Sequence, residues 1–123
     1  MQSRGRATLG DTVIDFDRME IRNSSESIPA TSLEFRLLKL FIDNPNRVFS
    51  RKELIRAVWK KRKRASLRTV DNFISRLRRK LEKNPVDPIF FQTVKGTGYR
   101  LVSTGLTSST FSTQGIINQA WTA

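Results

Sequence analysis

Neither cysteine nor histidine occurs among the 123 residues of this chain. The first absence excludes a disulfide, a thiolate metal site and a thiol nucleophile; the second removes the commonest metal ligand and general base. Catalysis would fall to Asp, Glu, Lys, Ser or Tyr, so no enzyme, metal or cofactor is expected. No run approaches the roughly 18 apolar residues of a spanning helix. The N-terminus, MQSRGRATLG, also lacks the apolar stretch of a signal peptide, so the expectation is a soluble cytoplasmic protein.

Acids are scarce where bases are dense. Residues 47 to 80 hold 14 of the 23 Lys and Arg but only Glu53 and Asp71 of the 11 acids, so this segment carries the whole net charge of +12. A solvated face would intersperse both signs, whereas an excess of one sign calls for a polyanion.

Several elements are legible in order. Residues 1 to 8 read as a flexible linker or arm. Alternating short runs, Val13 and Asp15, then Met19 and Ile21, predict an antiparallel sheet of three or four short strands, with Asp15 and Asp17 on its solvated outer face. Thr31 and Glu34 have capping-box spacing ahead of the stripe Leu33, Leu37, Leu38, Leu40 and Phe41; Ser50 and Glu53 repeat it before Leu54, Ile55, Val58 and Trp59. Val48-Phe49 predicts a brief strand between these two helices. Lys60, Lys61, Arg62, Lys63 and Arg64 repel one another and should form an exposed loop.

A third helix is predicted over about 67–83. At about 100° per residue, Val70, Phe73, Ile74, Leu77 and Leu81 share one narrow sector and belong to the core. Opposite lie Arg68, Asn72, Ser75, Arg76, Arg79 and Lys83, with Thr69 and Lys80 on one shoulder and Asp71 and Arg78 on the other. Asn84-Pro85 and Asp87-Pro88 should end this helix, and IFFQTVKGTGYRLV then predicts a β-hairpin over about 90–102 with Gly96 and Gly98 supplying positive φ at its tip. Residues 103–123 carry no charge and read as a polar tail, disordered or held by Phe111 or Trp121.

These parts compose an α+β winged helix-turn-helix. An α-helix fits the major groove of B-DNA, where Arg matches guanine and Asn matches adenine, so Arg76 and Asn72 are the base-reading candidates. Arg68, Thr69 and Arg78 stand nearer the groove walls, suited to phosphate, and Arg79 is counted with them. Asp71 can accept from cytosine or hold Arg68 or Arg78 in place. Lys95, at the hairpin tip, suits the negative potential of a minor groove.

The runs TSLEFRLLKLFIDNPNRVFSRKELIRAVW and RTVDNFISRLRRKLEKNPVDPIFFQTVKGTGYRLV resemble the C-terminal effector domain of OmpR/PhoB-type two-component response regulators, over residues 9–102. The resemblance implies a four-stranded N-terminal antiparallel sheet, three helices and a C-terminal hairpin wing. It implies a bacterial, cytoplasmic transcription factor of a phosphorelay, bound head to tail as a dimer on direct-repeat double-stranded DNA; a monomer is expected when free. In its terms Trp59, Arg68, Thr69, Arg78, Thr93 and Tyr99 meet the phosphate backbone, Asp71, Asn72 and Arg76 face bases, and Lys95 enters the minor groove. The loop from Lys60 to Ser66 corresponds to one that can contact RNA polymerase in the family. Its five cations make extra phosphate contact an equal alternative.

Phe73 and Ser75 stand where relatives such as PhoB carry polar or basic residues, and Lys95 stands where Arg is common. The family's receiver domain has no counterpart in this sequence, so the chain is a fragment or its regulation differs. A winged helix used purely for protein interaction is the alternative reading. A membrane-surface helix is disfavoured because its apolar stripe is needed for the core, and RNA is disfavoured for want of an exposed aromatic platform.

Overall fold

The computed structural model of the chain describes residues 5–24, 26–60 and 65–102 and the backbone of 106–108. Four short strands, β1 (Arg6–Leu9), β2 (Thr12–Asp15), β3 (Glu20–Arg22) and β4 (Ser27–Ile28), run antiparallel in chain order. Their alternation puts Ala7, Leu9, Ile14 and Ile21 inward.

Helix α1 (Ser32–Asp43) follows, then β5 (Phe49–Ser50) and α2 (Arg51–Leu54), which continues as a π-helix over Ile55–Trp59. Helix α3 (Leu67–Leu81) leads to the hairpin of β6 (Phe91–Val94) and β7 (Gly98–Leu101). Strand β5 adds to the hairpin, giving a second sheet ordered β5-β7-β6. Helix α1 packs on the second sheet, where Phe41 sits edge-on to both Phe49 and Phe91, at 5.5 and 5.8 Å.

Both expected capping boxes form. Thr31 Oγ1 accepts from Glu34 N while Glu34 Oε1 accepts from Thr31 N, and Ser50 and Glu53 do the same. A third box, not anticipated, joins Ser66 and Thr69 at the start of α3. All five predicted apolar residues of α3 are buried.

Five features depart from the sequence reading. Strand β8 (Leu106–Ser108) lies within the expected tail and pairs antiparallel with β1, making the first sheet five-stranded. Phe111 and Trp121 lie outside the described residues. Helix α3 stops at Leu81, earlier than Asn84-Pro85 would require, because Glu82 turns into extended backbone and its carboxylate takes up amides of the following segment. Asp15 is not on a solvated face: it is buried at the end of β2 and accepts from the N–H groups of Asp17 and Arg18, closing the turn to β3. The helix after Ser50 is α-helical for one turn only before it widens. Finally, of the two hairpin glycines only Gly96 has positive φ, at 78°.

Glu34 ties α1 to α3. Its side chain is 1% exposed and accepts from Lys80 Nζ at 2.7 Å. Burial pushes this carboxyl up, but hydrogen bonds from Lys80 and the Thr31 N–H, with the charges of Lys80 and Arg76, outweigh it and hold Glu34 below its ordinary 4.5. A lowered carboxyl contributes stability that is complete above that ordinary value and is lost as pH falls through the lower folded one. Lys80→Ala removes the hydrogen bond and charge that chiefly hold the Glu34 carboxyl down, so its acid-unfolding midpoint in a circular-dichroism titration is expected at higher pH than that of the unsubstituted chain.

Candidate nucleic-acid interface

Helix α3 divides into two kinds of polar residue. On the outer face Arg68, Asn72, Ser75, Arg76 and Arg79 are exposed, and among the described residues none of them has a hydrogen-bonded side-chain partner. On the shoulders the polar groups are engaged. Thr69 Oγ1 accepts from Ser66 N at 3.0 Å, and Lys80 turns back to Glu34.

Arg76 is not loose for lack of a hydrogen bond. Its guanidinium lies 4.6 Å from the centre of the Phe73 ring, and Phe73 packs edge-on to Trp59 at 5.0 Å. The aromatic residue at position 73 is therefore core on one side and a platform for Arg76 on the other, which limits the conformations this candidate base reader must give up on binding. Trp59 itself is 4% exposed, which leaves little of it to reach a phosphate.

The other shoulder joins helix to wing. Arg78 donates from Nε and Nη2 to the Phe91 carbonyl, at 3.0 and 2.8 Å, and from Nη2 to Thr93 Oγ1 at 2.9 Å. Its guanidinium also stands 5.7 Å from the centre of the Tyr99 ring. Asp71 Oδ1 accepts from Tyr99 Oη at 2.6 Å and from Arg51 Nε at 2.9 Å. Asp71 thus holds neither Arg68 nor Arg78, the partners considered from sequence, but residues of α2 and β7. Burial first, and then the adjacent carboxylate, push the Tyr99 phenol above its ordinary range, so it remains a donor to Asp71.

At the wing tip Thr97 N donates to Val94 O at 2.9 Å, and Lys95 on this turn is exposed. Lys60 is exposed at the start of the basic loop, with φ of 50°; Lys61, Arg62, Lys63 and Arg64 lie outside the described residues. Arg51 is the residue that sequence reasoning missed. One signal was available: a cation in the first turn of a helix opposes the macrodipole, and its presence there asks for another partner.

In sum of geometry, Arg68, Asn72, Arg76 and Arg79 form a donor face on α3, flanked by Thr93, Tyr99 and Lys95 of the wing. The only acid within α3 has one oxygen already engaged. No helix among the described residues is long and apolar enough to cross a membrane.

Residues 25–101 match the family model described as transcriptional regulatory protein, C terminal. The chain is 39% identical over 93 residues to the DNA-binding response regulator MtrA of Mycolicibacterium smegmatis, covering 76% of this chain and 41% of that protein. It superimposes on the response regulator DrrB, a Thermotoga maritima OmpR/PhoB homologue, with TM-score 0.71 and 28% identity, covering 80% of this chain and 44% of that one. The Klebsiella pneumoniae RstA DNA-binding domain in complex with the RstA box gives TM-score 0.65 at 26% identity, covering 77% of this chain and 96% of that one. The matched region spans between 38% and 44% of the curated relatives' length.

Proposed function

The chain belongs to the family of transcriptional regulatory protein C-terminal domains, and from that premise we propose that it binds double-stranded DNA sequence-specifically as the effector domain of a two-component transcriptional regulator. The observation that carries the reading is the outer face of α3, where exposed Arg and Asn side chains stand without hydrogen-bonded partners among the described residues, beside an exposed wing lysine. Asn72 and Arg76 read base edges in the major groove, and Asp71 offers its second oxygen there. Arg68, Thr69, Arg78, Arg79, Thr93, Tyr99 and the rim of Trp59 meet the phosphate backbone, and Lys95 enters the minor groove.

Binding is head to tail on direct repeats, by protomers that are monomers when free. The cations of the loop from Lys60 to Arg64 serve either RNA polymerase or further phosphates. The family is one of transcription regulators rather than enzymes, consistent with work in the cytoplasm.

In vitro selection against a random duplex library at near-physiological salt tests this directly. The expected product is a short motif repeated in one orientation about one helical turn apart. On that duplex Arg76→Ala should cost about 1–3 kcal/mol and relax preference at one or two base pairs. Binding without enrichment would reduce the arginine face to a backbone grip, and no binding would transfer the function to a protein partner.

A further inference from the structure

We propose that Arg51 is an additional DNA-phosphate contact and that Asp71 is the positioning residue that aims it, an inference that rests on the DNA-binding reading above. Arg51 opens α2, outside α3 and the wing, at the opposite end of its helical segment from Trp59 and the basic loop. Asp71 reaches it across 20 positions of sequence and takes its Nε, and the Tyr99 hydroxyl also interacts with the guanidinium. Asp71 takes neither terminal nitrogen, and the side chain is 45% exposed, so that edge of the guanidinium faces solvent beside Tyr99.

A planar guanidinium fixed along one edge presents its other nitrogens in a set direction, and such a fork matches two oxygens of a phosphate. The direction is defined here because Asp71 is itself fixed by Tyr99. Tyr99 pairs with Thr93 across the wing, and Arg78 lies over the Tyr99 ring, so Arg51 joins the same patch as Arg78 and Thr93. A backbone strand lying between α3 and the wing meets Arg78 from α3 and Arg51 from α2, with one carboxylate between the two cations. An exposed ion pair alone stabilises little, so a merely structural role accounts poorly for a cation kept at a helix start.

The test measures affinity of the full chain for the selected duplex, and for an unrelated one, over a series of salt concentrations. Arg51→Ala is expected to weaken both duplexes alike, by roughly tenfold, and to reduce the slope of log K against log salt by about 0.9, the value of one phosphate. Arg51→Gln keeps a donor toward Asp71 without the charge, so it should fail to rescue binding. In an Asp71→Asn background the Arg51→Ala loss should shrink to less than about threefold, because the guanidinium is no longer aimed.

An unchanged slope, rescue by Gln, a loss confined to particular base pairs, or an equal loss in both backgrounds would overturn the proposal. Thermal unfolding of each variant separates a lost contact from a lost fold, and a loss of affinity that merely follows a lowered midpoint also counts against it. Failure of the unsubstituted chain to bind any duplex overturns the DNA reading itself, and is distinguished by arising before any substitution.

Discussion

Gly98→Ala is expected to lower the thermal midpoint by roughly 12–24 °C, taking an overpacking cost near 3 kcal/mol and about 4–8 °C for each kcal/mol in a domain of this size. A Cβ at position 98 would lie 1.9 Å from the Phe49 carbonyl oxygen, 2.8 Å from its carbon and 2.9 Å from Ser50 Cα. All three are backbone atoms, so no rotamer relieves the contact. Strand β5 must instead separate from β7, where Ser50 faces Gly98 and Phe49 faces Tyr99. That movement disturbs Phe49 against Phe41 and the Ser50 cap of α2 together. Gly96 gives the contrast. A Cβ there meets nothing within 4 Å, and only its φ of 78° opposes a side chain, so Gly96→Ala should cost about 1 kcal/mol. Differential scanning fluorimetry of the two variants decides the matter: a smaller loss for Gly98→Ala than for Gly96→Ala would contradict the role given to β5.

The two glycines illustrate what was legible in the sequence and what was not. Properties set by residues a few positions apart could be read. The 3.6-residue period separated Val70, Phe73, Ile74, Leu77 and Leu81 from Arg68, Asn72, Ser75, Arg76 and Arg79, and the structure buries the first set and exposes the second. The capping boxes at Thr31 and Ser50 span three residues and were equally plain. Properties set by distant partners left no such trace. That Asp71 takes Arg51 and Tyr99, respectively 20 and 28 positions away, depends on how α2 and β7 pack on α3. The reason for Gly98 is the approach of β5, and the pairing of Leu106–Ser108 with β1 closes a strand edge far back in the chain. The family resemblance supplied topology for most of these elements, but not the side-chain partners that fix the wing to the helix.

Those partners meet at Phe91, and they make Glu82→Ala the substitution with the widest expected consequences. Strand β6 is an edge of its sheet, so the outward N–H and C=O of Phe91 have no strand beside them. Side chains from the end of α3 take their place: Glu82 Oε2 accepts the Phe91 N–H at 2.8 Å, and Arg78, one helical turn earlier, donates to the Phe91 carbonyl. Glu82 also accepts from Ile89 N and Phe90 N, at 2.9 Å each, so one carboxylate that is 7% exposed satisfies three successive amides. Removing it strands donors in a largely buried place, at about 1–3 kcal/mol each before water reaches the outermost, or a total near 3 kcal/mol. Glu82→Gln should lose nearly as much, because its NH2 would face an N–H, although its volume is preserved. Amide hydrogen exchange at Ile89, Phe90 and Phe91 should accelerate in both variants, ahead of global unfolding. Because the same residues couple α3 to the wing, binding to the selected duplex should fall further than binding to an unrelated one. Native stability with protected amides in Glu82→Gln would show that the wing is held by its own sheet, and the helix-to-wing coupling argued here would have to be abandoned.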